Sequence, residues 1–416
     1  MERIKTNPTN FLRFIAFLMI FLLHAKLFSP VNWNTSVVLP WLTYTPAWAG
    51  AWIFFILSGY GIGYGFINGK YKCDFSGVIH FYNSRLQKIV PLYLIYVIIV
   101  IFFMTPELLY LNSQSIMKLI KILTFNYNGS FNNLEMGAAW YLSTLMQLYF
   151  VAPLFFIIFR KLLASKKFRI IIFTLLIIGS VGLRISVALN IYRTGSGSWS
   201  EDIYVPFYMN LDFFFCGFLL NYCKRCKIKY SIIKVIKYFI LSIFIIFILF
   251  NSYIYYVGSY FQNNNFIWTY QYIFPAIYIL LTCCIIYLFD IQANLKETNN
   301  VSIKTKLSCI FDYWSLIALP AYLFHSDIFY KLSGIINNNT SQVLIDILKR
   351  FGIDITWVGI DFITMLIITL YGFILTVIVS VIFYKITKNV HFVIFDKIEY
   401  AILYLYEYIR KKFVLS

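Results

Sequence analysis

Charge is scarce in this chain, and negative charge scarcest of all. Only 12% of the 416 residues are Asp, Glu, Lys or Arg, and 17 acidic residues stand against 35 basic ones. A soluble domain carries about 25% charged residues, so that class is excluded. The seven cysteines are scattered. Cys223 and Cys226 form a C-x-x-C, but no second such pair exists to complete a four-thiolate zinc site, and no disulfide framework is implied. They read as small apolar residues, and no metal site is expected. The first apolar segment has no small-residue cleavage site and holds His24, which argues against a cleaved signal peptide. No internal repeat is visible, which weighs against the inverted-repeat architecture of many secondary transporters.

What is present is apolar length. Hydrophobic residues make up 61% of the chain and aromatics 21%, which suits lipid-facing surfaces and interfacial belts. Ten spans are expected, at 10–28, 46–68, 89–104, 138–159, 170–189, 206–223, 232–250, 266–289, 309–330 and 358–384. The net charge of +18 suggests nucleic acid until its distribution is followed. With the N-terminus in the cytoplasm, inner segments hold 27 of the 35 Lys and Arg. Outer segments hold seven, and Arg184 lies inside a span. This is the positive-inside asymmetry, and it places both termini in the cytoplasm, with no nucleic-acid partner. The expected fold class is therefore all-α, a polytopic membrane protein of about ten transmembrane helices. It forms a single membrane domain over 1–416 in the inner (plasma) membrane. The outer connection at 105–137 suits a short helix on the membrane surface, and the aromatic, basic tail at about 390–412 suits an interfacial helix on the anionic inner leaflet.

The most telling polar residues lie in the first span. Arg13 and His24 are eleven residues apart with only apolar side chains between them. Eleven helical steps come to about three turns, so the two share a face, roughly 16 Å apart. Ionisable groups inside a bilayer are costly and mark function by default. By depth, His24, Trp140, Ser143, Gln147, Arg184, Asp212, His325, Ser326 and Asp327 fall in the outer half, while Arg13 lies at the inner mouth. The tenth span begins near Asp361. Each also has a structural reading. Arg13 alone is an ordinary snorkelling arginine, His24 and His325 are helix-bridging hydrogen-bonders, and Ser143 and Gln147 act as interhelical glue. Arg184 and Asp212 read as a structural ion pair. His80 and His391 read as solvated.

The second span, GAWIFFILSGYGIGYGF, repeats glycine at 59, 61, 63 and 65. With no preceding strand this is no nucleotide loop; in a membrane helix such residues permit close backbone approach or local unwinding. After it, HFYNSRLQKIVPLY sets Arg85 and Lys88 on one helix face at the inner mouth of the third span. They are either ordinary inner-surface charge or a phosphate clamp.

In register, these segments resemble the acyltransferase-3 family of integral membrane O-acyltransferases. The resemblance rests on Arg13 and His24 and on FFILSGYGIGYGF, FYNSRLQKIVPLY, AAWYLSTLMQLYFVAPLF and SLIALPAYLFHSDIF. It covers most of the chain. One departure stands out: many members carry two glutamates in the fourth-span element, where this chain has Leu145 and Met146.

The resemblance implies acyl transfer from a cytoplasmic acyl-CoA, acetyl-CoA first, to a hydroxyl of a cell-surface glycan or its lipid-linked precursor. Arg13, Arg85 and Lys88 are then expected to hold the phosphorylated donor. His24 with Arg13 is expected to be catalytic, as a general base or an acyl carrier. Trp140, Ser143 and His325 are candidates for orienting the acceptor. Two other classes stay open from sequence: an exporter or flippase of a polysaccharide or lipid-linked sugar without acyl transfer, and a sensor or assembly subunit of a surface-glycan machine in which the histidine is structural.

Overall fold

The structure is a computed structural model describing residues 8–27, 46–103, 105–110, 112–127, 138–223, 230–260, 273–289, 306–336, 338–353 and 360–414. Every regular element among them is helical: α1 (Pro8–Leu27), α2 (Ala47–Ile67), α3 (Phe75–Phe103), α4 (Ser113–Leu123), α5 (Ala139–Leu163), α6 (Lys166–Thr194), α7 (Leu211–Leu219), α8 (Tyr230–Tyr260), α9 (Ile273–Phe289), α10 (Lys306–Ser333), α11 (Asn338–Arg350), α12 (Ile360–Thr387) and α13 (Val393–Val414). Six of these, α2, α3, α5, α6, α8 and α12, hold apolar stretches long enough to cross a bilayer, and α1 and α9 are shorter apolar helices. The protein is an all-α, multi-pass membrane protein. Cys226, the side chain of Asp361 and the outer segment 128–137 lie outside the described residues.

At the centre, α1 packs against α2, α10 and α12, and α2 packs against α7. The periphery is greasy on its outside. Ile170, Leu175 and Ile178 on α6, Phe239 and Ile246 on α8, and Leu370, Ile374 and Ile378 on α12 are all exposed, as lipid-facing side chains are. Outside the spans, α4 takes the surface-helix place expected in 105–137. It buries Ile122 and exposes Ile116, Met117, Ile120 and Leu123. The amphipathic α11 has no counterpart among the sequence expectations. It is tied to α12 by a hydrogen bond from Thr364 Oγ1 to Ser341 Oγ (2.5 Å).

Two elements differ from the spans expected. The third begins at Phe75, well before residue 89, because the polar run before the apolar stretch continues the helix and docks α13. The sixth is not one helix. A π-turn (Trp199–Tyr204) and a 3-10 turn (Phe207–Asn210) lead into the nine-residue α7, followed by a further 3-10 turn (Leu220–Tyr222). Irregular backbone at membrane depth must find its hydrogen bonds within the protein. Here, Asn210 Nδ2 donates to the carbonyls of Tyr204 (2.8 Å) and Pro206 (2.9 Å). Thr144 Oγ1 donates to that of Val205 (2.7 Å), and Arg184 Nη2 to that of Met209 (2.5 Å). Arg184 also pairs with Asp212 at 2.7 Å, both fully buried, and stands 4.9 Å over the Phe213 ring. The pair acts as a latch joining α6 to the broken span.

The seam between α2 and α7 explains part of the glycine repeat. A Cβ on Gly59 would lie 1.8 Å from the Phe214 carbonyl oxygen, and one on Gly217 would lie 2.0 Å from that of Ile56. Gly61 has nothing within 4 Å, whereas a Cβ on Gly65, one turn further on, would lie 2.7 Å from the Tyr71 ring, so the open side of α2 is local to Gly61. Hence Gly59→Ala is expected to destabilise the protein by about 1–3 kcal/mol through forced separation of backbones, whereas Gly61→Ala is neutral. Thermal unfolding of the two purified variants checks this. Arg184→Gln leaves Asp212 buried and uncompensated, at a cost of about 3–5 kcal/mol, and Arg184→Met with Asp212→Leu recovers most of that loss. The same assay, run on single and double variants, decides it.

Candidate active site

Both odd and even spans contribute to one cavity of about 550 Å³. It is lined by Arg13 from the start of α1, Gly61 late in α2, Arg85 and Lys88 early in α3, Ser315 to Tyr322 of α10, and Tyr384 and Thr387 at the end of α12. Helices that alternate in direction meet in this way at one membrane face, the one expected from the basic loops to be the inner face. The wall carries four cations, Arg13, Arg85, Lys88 and Lys388, and none of its described residues is a carboxylate.

The cations are held from behind. Arg13 Nη1 donates to Asn10 Oδ1 (2.9 Å), and Asn10 Nδ2 donates to Asp312 Oδ1 (3.0 Å), so α10 orients the arginine through an intervening amide. Arg85 donates to the Tyr71 hydroxyl and sits 5.6 Å from the centres of the Tyr71 and Phe81 rings and 5.9 Å from that of Tyr149. A guanidinium in such an aromatic cage is rigid yet keeps donors for a phosphate.

Deeper in, the wall turns apolar and aromatic and ends at Tyr141 and Tyr322, whose ring centroids lie 4.8 Å apart. One turn beyond Tyr322 comes His325. Its Nδ1 is 2.6 Å from the Tyr322 carbonyl, its residue is 1% exposed, and its ring meets that of His24 edge-on at 4.7 Å. A carbonyl partner makes Nδ1 the protonated nitrogen, leaving Nε2 as an acceptor. The register that brings the two histidines together is set by a ladder of rings between α1 and α10. Phe11 and Phe14 pack on Phe311, Phe14 and Phe17 on Trp314, and Phe21 on Phe329.

Of the residues expected to form the site, Arg13, Arg85 and Lys88 therefore share the inner cavity, and His24 and His325 share a deeper one-turn layer. Neither histidine is in the cavity wall; the Tyr141–Tyr322 pair separates them from it. Trp140 is buried against Tyr204 (4.7 Å), within an outer aromatic cluster that also includes Trp48, Trp52 and Trp199. Ser143 is fully buried one turn along α5, and Gln147 Nε2 donates to the Phe125 carbonyl (2.8 Å), tying α5 to the end of α4. Leu145, at one of the positions where glutamates were expected, lines the cavity, and Met146 is buried. Sequence reasoning missed Tyr141, Tyr322, Asn10 and Asp312. Tyr322 was signalled by its place three residues before His325; the relay through Asn10 had no local signal.

Asp327, also in the outer half, accepts a hydrogen bond from the Tyr96 hydroxyl (3.1 Å) and so braces α3 against α10. Among the described residues no three His, Cys, Asp or Glu side chains converge as metal ligands do.

The family model for an acyltransferase domain, acyltransferase-3, matches residues 9–385, nearly the whole chain. The chain belongs to that family. No curated protein and no solved structure matches it. This acyltransferase-3 protein is thus a multi-pass membrane acyltransferase, and the match runs from the start of α1 to within two residues of the end of α12.

Proposed function

We propose that this acyltransferase moves an acyl group, acetyl first, from cytoplasmic acyl-CoA to a hydroxyl of a cell-surface glycan or its lipid-linked precursor, working in the cytoplasmic membrane. The observation that carries the reading is the inner cavity, which among the described residues has four cations and no carboxylate in its wall and narrows onto a tyrosine pair with two histidines behind it. A polyphosphorylated head suits the mouth. A slender, uncharged arm suits the apolar depth, where a phosphate would find no partner.

In this reading Arg13, Arg85 and Lys88 hold the phosphates. Reaction at His24 requires the acyl end to part Tyr141 from Tyr322. His24 takes the proton of the acceptor hydroxyl as that oxygen attacks the thioester carbonyl, the carbon–sulfur bond breaks, and the imidazolium returns its proton to the departing thiolate. His325, with Nε2 as an acceptor beside His24, and Trp140 and Ser143 on α5 orient the acceptor. A route through an acyl-histidine uses the same groups in two steps.

Membranes incubated with isotope-labelled acetyl-CoA are expected to transfer label to a glycan or lipid-linked sugar. His24→Ala, with the protein retained in the membrane, is expected to lower that rate by about 10²–10⁴. Near-wild-type transfer by this variant overturns the base assignment. Arg13→Gln is expected to raise the donor KM by about 10-fold or more, with the acceptor KM little changed. The opposite pattern removes Arg13 from the donor site.

A further inference from the structure

The rim of the cavity is completed by residues beyond the family match. Thr387, Lys388 and Val390 face Arg85, Gln87 and Lys88 across it. Lys388 is an exposed side chain on the helix end, its backbone N–H still bonded to the Tyr384 carbonyl (2.9 Å). Immediately after it the chain reverses, and α13 returns along the inner extension of α3.

That return is fastened by polar contacts. Gln87 grips the backbone of Phe392 in both directions, donating to its carbonyl and accepting from its N–H, each at 2.9 Å. Asn83 Nδ2 donates to Asp396 (2.9 Å) and to Glu399, and His80 lies 3.2 Å from Glu399. Hydrogen bonds from Asn83 and His391 hold Asp396 below the usual carboxylate range. Farther out, Phe75 and Tyr406 stack at 4.5 Å. Two features decide what this fastening does. Gln87 belongs both to the cavity wall and to the clasp, so the wall and α13 cannot shift independently. The two carboxylates that α13 brings to this end are engaged by α3 and do not enter the wall, whose charged groups among the described residues are all cationic.

We infer that α13 is a strap that fixes Lys388 as the fourth cation of the donor site, where it takes a phosphate of the CoA head. The inference rests on the donor assigned above. A lysine on an untethered helix end loses much of its binding energy to the ordering of chain and side chain; a clasped turn has already lost that freedom. Lys388 is a binding residue, and Asn83 and Gln87 are positioning residues acting through it.

The test uses the full chain in lipid nanodiscs with CoA and pantetheine as probes, read by calorimetry. Lys388→Gln is expected to weaken CoA about 5-fold, the scale of one exposed ion pair, and to leave pantetheine, which lacks the nucleotide phosphates, unchanged. Lys388→Arg is expected to retain CoA affinity. Asn83→Asp sets a third carboxylate against Asp396 and Glu399 and so loosens the clasp. It is expected to weaken CoA similarly in the wild-type background but hardly at all in the Lys388→Gln background. Absence of CoA binding by the wild-type protein overturns the donor reading itself. Wild-type binding with no change in Lys388→Gln overturns the role of Lys388 alone. Equal losses from Asn83→Asp in both backgrounds overturn the strap.

Discussion

Along the seam between α1 and α10, aromatic rings meet at nearly every turn, and the two helices run in the same direction. Each depth on α1 therefore faces the same depth on α10. At the inner end this sets Asn10 against Asp312 and so turns Arg13 toward the cavity. Three turns later it sets His24 against His325. Interlocked rings tolerate no sliding, because a one-turn slip of about 5.4 Å would undo every pair at once. The distance between donor mouth and histidine layer is thus a property of one packed seam, not of mobile loops.

Around that seam the fold meets the demands of a solvent without water. The sixth span breaks, and its free carbonyls are taken by Asn210, Thr144 and Arg184, one hydrogen bond at a time. Arg184 carries a charge into this region, and Asp212 cancels it at 2.7 Å. A short broken helix leaves little side-chain surface to hold it, so Gly59 and Gly217 bring the backbones of α2 and α7 into direct contact. Gly61, off that seam, has open space beside it and borders the cavity.

Much of this was legible in the sequence, and the reason is physical. Apolar length and basic loops mark the spans because a bilayer punishes every exception. Arg13, Arg85 and Lys88 stood out for the same reason, as did the shared face of Arg13 and His24. The break before α7 was not legible, since LDFFFCGFLL is as apolar as an intact span and two of the residues that repair it, Thr144 and Arg184, lie on α5 and α6. Nor was the approach of His24 to His325, which requires the relative depth of two helices some 300 residues apart. His80 and His391 are exposed as expected, yet each meets a carboxylate, Glu399 or Asp396, because α13 folds back on α3. Sequence periodicity describes a helix face but does not say which other face covers it.

The distribution of charge within the described residues separates two kinds of polar group. Arg184 has its counter-ion, Asp327 its tyrosine, and the carboxylates of α13 their partners on α3. These interactions close on themselves and hold helices together. The cavity is the exception, since its four cations stand in one wall in which no described residue is acidic, and Asp312 reaches Arg13 only through the Asn10 amide. Like charges gathered at one site weaken the fold unless something anionic comes to meet them. Under the proposed function that visitor is the phosphorylated head of the donor, and the same arrangement sorts its parts. Phosphates stop at the rim because beyond it the wall is hydrocarbon and tyrosine, while the uncharged arm loses little by going on. A selectivity of this kind follows from placing the four cations at one end of the cavity and both histidines past the other, behind the tyrosine pair that the acyl end must part.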